Sequence, residues 1–328
     1  MAVDDNMQVI KGLDKIKRKF KKPIVTIGTF DGVHIGHQKI ITEVKKRAEL
    51  TGGTSVVITF DLHPLRVINF EGSPPLLTSM EHKMKLLDDM GVKKCLLLKF
   101  KRDFFTLTPE EFVKKTLVES LKVNEIFLGN NYCFGRGKSG DIKLMQALAE
   151  KYSFYLHKMK LIKLNGNIVS SSLIRSFLKQ GKLNQAARFL GRPFSILGQV
   201  VKGSKRGRLI GYPTANLKPY HEVIPPGGVY AVKVSLGRRL YNAIINIGSR
   251  PTFEFIDGEN IEPIIEVHIF DFNSSLYGRE LEVVFAGKIR NERRFSGKEE
   301  LIRQIRLDEA RARRLLDSPL HIFSTVVK

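Results

Sequence analysis

Along the first 190 residues, short apolar runs alternate with stretches in which apolar residues recur every three or four positions. The apolar runs predict buried strands at residues 24–27, 55–60, 94–98 and 125–128. The periodic stretches predict helices at residues 37–50, 79–90, 109–120 and 141–151. This alternation favours an α/β domain, with a parallel sheet covered by helices on both faces. In such sheets, ligands bind beyond the carboxyl ends of the strands.

The pattern changes near residue 190. Two short helices are predicted at residues 173–180 and 183–190, and strand-like runs separated by turn residues follow. The predicted strands are residues 195–202, 229–236, 241–247, 264–270 and 280–285, and a helix is predicted at 297–316. Short, regularly spaced strands indicate a small antiparallel β-barrel. We therefore predict two domains, residues 1–190 and 191–328.

The composition suits a two-domain protein of the cytoplasm. A chain of 328 residues is long enough for two hydrophobic cores. No apolar run approaches the roughly 20 residues of a membrane helix. The first residues are polar and charged and lack the apolar centre of a secretory signal. Cys95 and Cys133 are too few and too distant to indicate a disulfide framework or a metal knuckle. We expect cytoplasmic location and no membrane partner; the sequence leaves the oligomeric state open.

The formal net charge is +22, and both halves contribute to it. Residues 1–190 carry 33 Lys and Arg against 18 Asp and Glu, and the densest basic run is residues 15–22. Such a charge fits nucleic acid, an anionic membrane surface or phosphate-rich small ligands. The chain has no zinc-finger spacing, RNA-binding signature or basic heptads, so nucleic acid is not the expected partner.

The most specific segment is residues 28–37, Gly-Thr-Phe-Asp-Gly-Val-His-Ile-Gly-His, between a predicted strand and a predicted helix. Glycines let the backbone approach a ligand closely, and the first N–H groups of a helix point towards an anion. His34 and His37 can donate to developing negative charge. The segment predicts a nucleotide phosphate site; the alternative is a loop with two surface histidines.

This segment resembles the His-x-Gly-His nucleotidyltransferase motif, in the form found in the bacterial bifunctional riboflavin kinase/FMN adenylyltransferase family. Phe60-Asp-Leu-His-Pro64 is similar to that family's Phe-Asp-Pro-His-Pro, with Leu62 replacing a proline. Residues 129–135 resemble its Gly-x-Asp-Phe-x-Phe-Gly segment, with Asn131 where many members have Asp. Residues 169–175 resemble its Ser-Ser-Thr-x-Ile-Arg signature. The resemblance implies a Rossmann-like nucleotidyltransferase domain.

The resemblance also implies which residues bind ATP for adenylyl transfer. They are Gly28, Phe30, Asp31, His34, His37, Asn131, Ser171, Ser172 and Arg175, with His34 and His37 as the catalytic pair. Alternatives remain open for some of them. The serine run is also compatible with a plain helix N-cap. Asp31 could orient a histidine, reach a metal or form the turn, and His63 is equally compatible with a structural role.

In the second half, glycines at positions 203, 207 and 211 of the segment 198–217 are interleaved with Lys205, Arg206 and Arg208. This pattern is typical of a phosphate-binding loop or a basic turn. They end in Pro-Thr-Ala-Asn, in which Thr214 and Asn216 offer hard oxygen ligands for Mg²⁺. The segment resembles the riboflavin kinase signature. That resemblance implies a set of ATP- and flavin-binding residues: Gly203, Lys205, Gly207, Arg208, Thr214, Asn216 and Arg290.

Glu266 interrupts an otherwise apolar strand and points away from Ile265 and Val267. A solvated glutamate would fit that position. The functional interpretation makes Glu266 the general base that accepts the 5′-hydroxyl proton of riboflavin. Tyr277 and Phe295 continue the resemblance and suggest flavin or nucleotide contacts.

The resemblance spans residues 20–315. It implies that the barrel half phosphorylates riboflavin to FMN with Mg·ATP, and that the α/β half adenylylates FMN to FAD with a second ATP. Riboflavin, FMN and ATP are then the partners, and Mg²⁺ the divalent metal. Two alternatives remain. In the first, only one half is active, and the departures at Leu62 and Asn131 make the adenylyltransferase the half that would be inactive. In the second, the chain is a nucleic-acid-binding regulator.

Overall fold

The structure is a computed structural model. It describes residues 7–16, 19–62, 73–100, 104, 106–203, 207, 210–220, 223–237, 239–248 and 263–317. The chain divides into two compact units. The first comprises Met1–Pro75 and Met80–Ser170, and the second comprises Leu76–Ser79 and Ser171–Lys328. The two short helices predicted at residues 173–180 and 183–190 therefore belong to the second unit. The domain boundary between residues 190 and 191 stays a prediction.

The first unit is built on a six-stranded parallel sheet with the order β1-β4-β3-β2-β5-β6. Its strands are β1 (Gln8–Lys11), β2 (Pro23–Ile27), β3 (Thr54–Phe60), β4 (Lys94–Leu98), β5 (Glu125–Gly129) and β6 (Tyr155–Met159). The four central strands confirm the sequence prediction. The edge strands β1 and β6 were not predicted, because their residues are only partly buried and carry no continuous apolar run. A short hairpin of β7 (Lys163–Leu164) and β8 (Asn167–Ile168) follows.

Helices cover both faces of this sheet, as predicted. They are α1 (Ile35–Thr51), α2 (Met80–Asp89), α3 (Pro109–Phe112), which continues as a π-helix over Val113–Ser120, and α4 (Ile142–Lys151). Val25 and Ile27 pack with the π-helix and α4, whereas Ile24 packs with α1. Side chains alternate between the two faces of a strand, so these apolar runs are buried on both sides.

The helix ends follow from local sequence. At α3, Thr108 and Glu111 form a capping box, in which each side chain accepts from the other residue's backbone N–H. Asp141 caps α4 by accepting from the backbone N–H of Lys143 and Leu144 at 3.0 and 2.9 Å. Gly52 ends α1 in the left-handed conformation.

The topology of the sheet places the site candidates on one rim. From β2 the chain moves to β3 and β4 on one side, and β5 pairs with β2 on the other side. This reversal leaves a crevice beyond the carboxyl ends of β2 and β5, the usual ligand position in open α/β sheets. Residues 28–34 follow β2, and Asn131 follows β5.

The second unit contains α5 (Ser171–Lys179), α6 (Leu183–Leu190), a closed antiparallel barrel and α7 (Lys298–Asp317). The barrel order is β10-β13-β12-β11-β14-β9. Its strands are β9 (Ser195–Val201), β10 (Ala215–Pro219), β11 (Gly228–Leu236), β12 (Arg239–Gly248), β13 (Ile264–Ile269) and β14 (Glu280–Arg290). The predicted barrel and closing helix are confirmed. β10 was not predicted, because its five residues include polar side chains and a proline.

Helix α7 packs on the barrel through its apolar stripe. Ala312 and Leu316 lie in one buried cluster with Val229, Ile244 and Phe270 of the barrel unit. Within the part of the chain that the structure describes, no helix combines the length and apolar character needed to cross a membrane.

Candidate active sites

The turn between β2 and α1 has a strained backbone. Phe30 and Val33 have positive φ angles of 49° and 40°, and Gly32 between them has φ 80°. Positive φ is uncommon for an aromatic residue and a genuine outlier for a β-branched one. Each such residue costs about 1–3 kcal/mol unless the surroundings fix it, and such outliers cluster at functional sites. Both side chains are at least 98% buried, so packing holds the turn in this shape.

His34 and His37 lie side by side at the start of α1. Their rings stack with centroids 3.6 Å apart and planes 14° apart. His34 is the N-cap residue, and its Nδ1 accepts from the backbone N–H of His37 at 3.3 Å. Since Nδ1 accepts, the neutral His34 ring carries its proton on Nε2 and can donate from that atom. The pair is therefore suited to donate to an anion at the helix start.

Gly36 leaves room for the His34 ring, and Gly28 leaves room for the Phe30 ring. A Cβ on Gly36 would lie 3.1 Å from Cε1 of His34, and a Cβ on Gly28 would lie 3.2 Å from the Phe30 ring. The Phe30 ring in turn meets His37 edge-on, with centroids 5.2 Å apart. Gly28, Phe30, His34, Gly36 and His37 thus form one packed arrangement.

Two charged side chains are buried beside this turn. Asp31 is 4% exposed and Lys83 is 8% exposed. The Lys83 ammonium on α2 donates to the carbonyl of Thr29 at 3.1 Å and to the Thr59 hydroxyl at 3.2 Å. Burial lowers the pKa of Lys83 to about 8, against the opposing charge of Asp31. Sequence reasoning missed Lys83, because a single lysine in a helical stretch carries no motif.

The segments after β3 and β5 are less closely defined. Asp61 accepts from the backbone N–H of Leu62 and of Phe100, both at 2.8 Å, so it braces the loop after β3. Leu62 is half exposed, and His63 lies outside the described residues. Asn131 is exposed, and its Oδ1 lies over Gly129. Asn131 thus follows the strand next to the histidine motif, and its role stays a prediction.

The serine–arginine motif belongs to the second unit. Helix α5 begins at Ser171, so Ser171 and Ser172 occupy its first turn. Arg175 is buried and donates from Nη1 to the Ser172 hydroxyl at 3.3 Å. The guanidinium and this hydroxyl form one polar group at the helix start, where anions are favoured.

The barrel gathers the kinase candidates on one face. Asn216 on β10 pairs directly with Glu266 on β13, and Glu266 pairs with Asn246 on β12. Directly paired residues of neighbouring strands share a face, with Cβ atoms about 5 Å apart. Thr214 precedes Asn216 by two positions and is half-buried like Asn216, Glu266 and Asn246. The predicted orientation of Glu266 is confirmed, since Ile265 and Val267 are buried on the opposite face.

Glycines shape the loop before β10. A Cβ on Gly203 would lie 1.9 Å from Nδ2 of Asn216, so this position accepts no side chain while Asn216 stays in place. A Cβ on Gly207 would lie 2.2 Å from the carbonyl oxygen of Tyr212 and 3.1 Å from the Thr214 hydroxyl. Lys205, Arg206 and Arg208 lie outside the described residues.

His268 anchors the threonine segment, and sequence reasoning gave it no role. Its Nδ1 lies 2.8 Å from the carbonyl oxygen of Pro213, and its ring lies 5.3 Å from that of Tyr212. His268 follows Glu266 by two positions and so shares its face of β13. It fixes the backbone immediately before Thr214.

An open cleft lies beside Thr214. It is lined by Val200, Pro213, Thr214, Ala215, Val267, Ile269, Phe272, Ser274, Ser275, Leu276 and Tyr277. Apolar side chains supply one wall, and hydroxyl groups stand at its edge.

Arg290 is engaged within the protein. Its Nε donates to both carboxylate oxygens of Asp308 on α7, at 3.1 and 2.9 Å, and the Asp308 side chain is 1% exposed. The Arg290 guanidinium also lies 5.5 Å from the centre of the Phe295 ring. The ion pair gives Arg290 a structural role in holding α7. Contacts of Arg290 and Phe295 with a nucleotide or flavin stay predictions.

The oxygen donors of the barrel fit Mg²⁺. Mg²⁺ keeps several water ligands and is usually held by one or two protein oxygens together with substrate phosphates. Thr214 and Asn216 offer a hydroxyl and an amide oxygen of that kind. Among the described residues, no group of three or more His, Cys, Asp and Glu side chains could hold a metal by itself. The donor set therefore suits a cation shared with a nucleotide.

Each half of the chain matches the model of a known family. A family model described as FAD synthetase matches residues 16–173. A second model, described as riboflavin kinase, matches residues 190–316. Together the two matches span nearly the whole chain.

Full-length relatives carry both names. Proteins described as bifunctional riboflavin kinase/FMN adenylyltransferase are 36% identical to this chain in Escherichia coli (strain K12) and 37% in Bacillus subtilis (strain 168). These alignments cover 94% and 90% of this chain, and 97% and 93% of the relatives. A crystal structure from Streptococcus pneumoniae, described as a macrolide-efflux protein, matches with a TM-score of 0.80 at 30% identity. The match covers 94% of this chain and 98% of that one.

Proposed function

The chain belongs to the bifunctional riboflavin kinase/FMN adenylyltransferase family, and we propose that His34, His37 and Glu266 carry its two reactions. The enzyme phosphorylates riboflavin to FMN with ATP and then adenylylates FMN to FAD with a second ATP, releasing pyrophosphate. The observation that carries the residue assignment is that the two imidazoles stack at the start of α1, whereas Glu266 pairs in register with Asn216 in the barrel.

In adenylyl transfer, a phosphate oxygen of FMN attacks the α-phosphorus of ATP, and the bond to pyrophosphate breaks. Such reactions depend on positioning and charge stabilisation more than on covalent work by the protein. We assign His34 and His37 to the ATP phosphates at the start of α1. The Nε2 proton of His34 stabilises charge that develops there. Gly28, Phe30, Asp31 and Asn131 are assigned to the shaping of this nucleotide site. The ATP-binding role that the resemblance implies for Ser171, Ser172 and Arg175 stays a prediction.

In the kinase reaction, the 5′-hydroxyl of riboflavin attacks the γ-phosphorus of ATP, and ADP leaves. Glu266 is assigned as the general base that accepts the hydroxyl proton. Its partners in register, Asn216 and Asn246, offer amide groups that can orient the carboxylate and the phosphate. Gly203, Lys205, Gly207, Arg208 and Arg290 complete the predicted ATP- and flavin-binding set.

Thr214 and Asn216 are proposed to hold Mg²⁺ together with the ATP phosphates. When bound, the cation would neutralise charge on the phosphate that is transferred. His268 supports this role by fixing the carbonyl of Pro213 immediately before Thr214. We also place the enzyme in the cytoplasm, where its co-substrate ATP is formed and used.

Two single substitutions test the assignment of residues to reactions. Glu266→Ala should lower riboflavin phosphorylation by about 10²–10⁴-fold, because a general base supplies an effect of that size. It should leave FAD formation from supplied FMN unchanged. His37→Ala should lower FAD formation from FMN and spare the kinase. Each variant is thus the folding control of the other, and Glu280→Ala, at an exposed glutamate on β14, is the matched control for Glu266→Ala.

Chromatographic measurement of FMN and FAD decides the outcome. If Glu266→Ala phosphorylates riboflavin at the wild-type rate, Glu266 is not the base. If His37→Ala makes FAD at the wild-type rate, the histidine assignment is wrong.

A further inference from the structure

Lys83 lies beneath the turn that carries the two histidines. It belongs to α2, far from residues 28–37 in sequence, and its side chain is 8% exposed. Its ammonium donates to three oxygens: the Thr29 carbonyl at 3.1 Å, the Thr59 hydroxyl at 3.2 Å and the Phe60 carbonyl at 3.4 Å. An ammonium has three protons, so these contacts use all of them. Lys83 therefore has no proton left for a substrate phosphate.

The three acceptors join the ends of two strands. Thr29 follows β2, and Thr59 and Phe60 end β3. The Thr59 hydroxyl also donates to the Thr29 carbonyl at 3.3 Å, so Lys83 and Thr59 hold the same oxygen. The backbone N–H of Gly28 donates to the carbonyl oxygen of Ile58 at 3.1 Å, which adds a hydrogen bond between the ends of β2 and β3.

The backbone held in this way is the strained one. Phe30 follows Thr29 directly, and Phe30 and Val33 have positive φ angles. A turn of this kind persists only where its surroundings over-determine it. His34 comes immediately after Val33 and caps α1, so the shape of the turn sets the position of both imidazoles.

We propose that Lys83 is a positioning residue of the adenylyltransferase reaction, which fixes the turn at Thr29 and thereby the placement of His34 and His37. This inference rests on the proposed role of the two histidines. Lys83 acts through the backbone and not on the substrate.

The test compares Lys83→Met with Lys45→Met. Lys45, near the end of α1, also donates to a backbone carbonyl, that of Met90, but on the opposite rim of the sheet. Lys83→Met should lower kcat for FAD formation by about 100-fold, since a misplacement of about 1 Å can have that effect. KM for ATP should stay within about twofold of wild type, because ground-state binding is not removed. Lys45→Met should keep full adenylyltransferase activity.

The kinase activity of the same samples reports the second unit, and circular dichroism and thermal melting report the fold. Should Lys83→Met not fold, Thr59→Val removes one hydroxyl of the network and should lower kcat about tenfold, the effect of losing about 1.4 kcal/mol from the transition state. Wild-type kcat for either variant, correctly folded, overturns the inference. A full loss in His37→Ala with wild-type activity in Lys83→Met overturns this inference alone.

The pH dependence of kcat for FAD formation distinguishes a positioning role of Lys83 from a purely structural one. Burial lowers the pKa of Lys83 to about 8, and the groups that face it are Asp31, Asp61 and the Cys95 thiol, whose own pKa burial raises to about 12. Wild-type kcat for FAD formation should fall as the pH rises through about 8, where Lys83 loses its charge.

The contribution of Lys83 to the unfolding free energy should instead become more favourable as the pH rises. Between pH 8 and 10.5 the unfolded chain holds more of this proton, so the unfolding free energy rises with pH relative to Lys83→Met. Activity and stability that fall together would contradict a positioning role.

Discussion

At the scale of single residues, the two sites differ in how far sequence could define them. His34 and His37, and Thr214 and Asn216, stand in contiguous motifs whose spacing already indicates their chemistry. Lys83 and His268 act through partners distant in sequence, in contacts that only the folded chain creates. A lysine in a helix or a histidine in a strand is not distinctive by itself, so these residues could not be predicted.

The Thr214 hydroxyl carries a prediction about the metal. Thr214→Val keeps the shape of the side chain but removes the oxygen that is proposed to bind Mg²⁺. We expect the Mg²⁺ concentration for half-maximal riboflavin phosphorylation to rise at least about tenfold, the scale of losing one hydrogen-bonding or ligand interaction of about 1.4 kcal/mol. A titration of initial rate against Mg²⁺ measures it.

Thr214→Ser is the matched control, since it retains the hydroxyl and should titrate like wild type. FAD formation from FMN should be unaffected in both variants. An unchanged Mg²⁺ requirement in Thr214→Val would remove Thr214 from the metal site.

At the scale of elements, sequence patterns predicted the buried strands and the helices but missed the strands at the edges. The central strands β2, β3 and β5 of the parallel sheet are buried on both faces and therefore show continuous apolar runs. β1 and β6 lie at the edges and are partly solvated, so their composition is mixed. β10 was hidden because its five residues include polar side chains and a proline and show no apolar run.

The attachment of α7 to the barrel carries a stability prediction. Asp308 is buried and binds both Arg290 on β14 and Gln304, the latter at 2.8 Å. Asp308→Ala would leave the Arg290 guanidinium without its carboxylate. Breaking a buried ion pair in this way destabilises by about 3–5 kcal/mol. We expect the urea midpoint for loss of kinase activity to fall accordingly.

Asp317→Ala, at the exposed end of the same helix, is the control and should change stability by no more than about 0.5 kcal/mol. The Arg290–Asp308 pair would not be the attachment if Asp308→Ala unfolded at the same urea concentration as this control.

At the scale of the whole molecule, the chain joins two compact units, and one family model matches its first half and another its second half. The change from alternating strands and helices to short spaced strands predicted this two-part organisation from sequence. The strong positive charge of the chain fits substrates that all carry or receive phosphate. The product of the kinase reaction, FMN, is the substrate of the adenylyltransferase reaction.

The central claim is that Glu266 and His37 serve two separate reactions. Its most direct test is to mix equal amounts of Glu266→Ala and His37→Ala with riboflavin, ATP and Mg²⁺, and to follow FMN and FAD by chromatography. We expect Glu266→Ala alone to form neither product, His37→Ala alone to accumulate FMN, and the mixture to form FAD. FAD from riboflavin with either variant alone, or none from the mixture, would contradict the account.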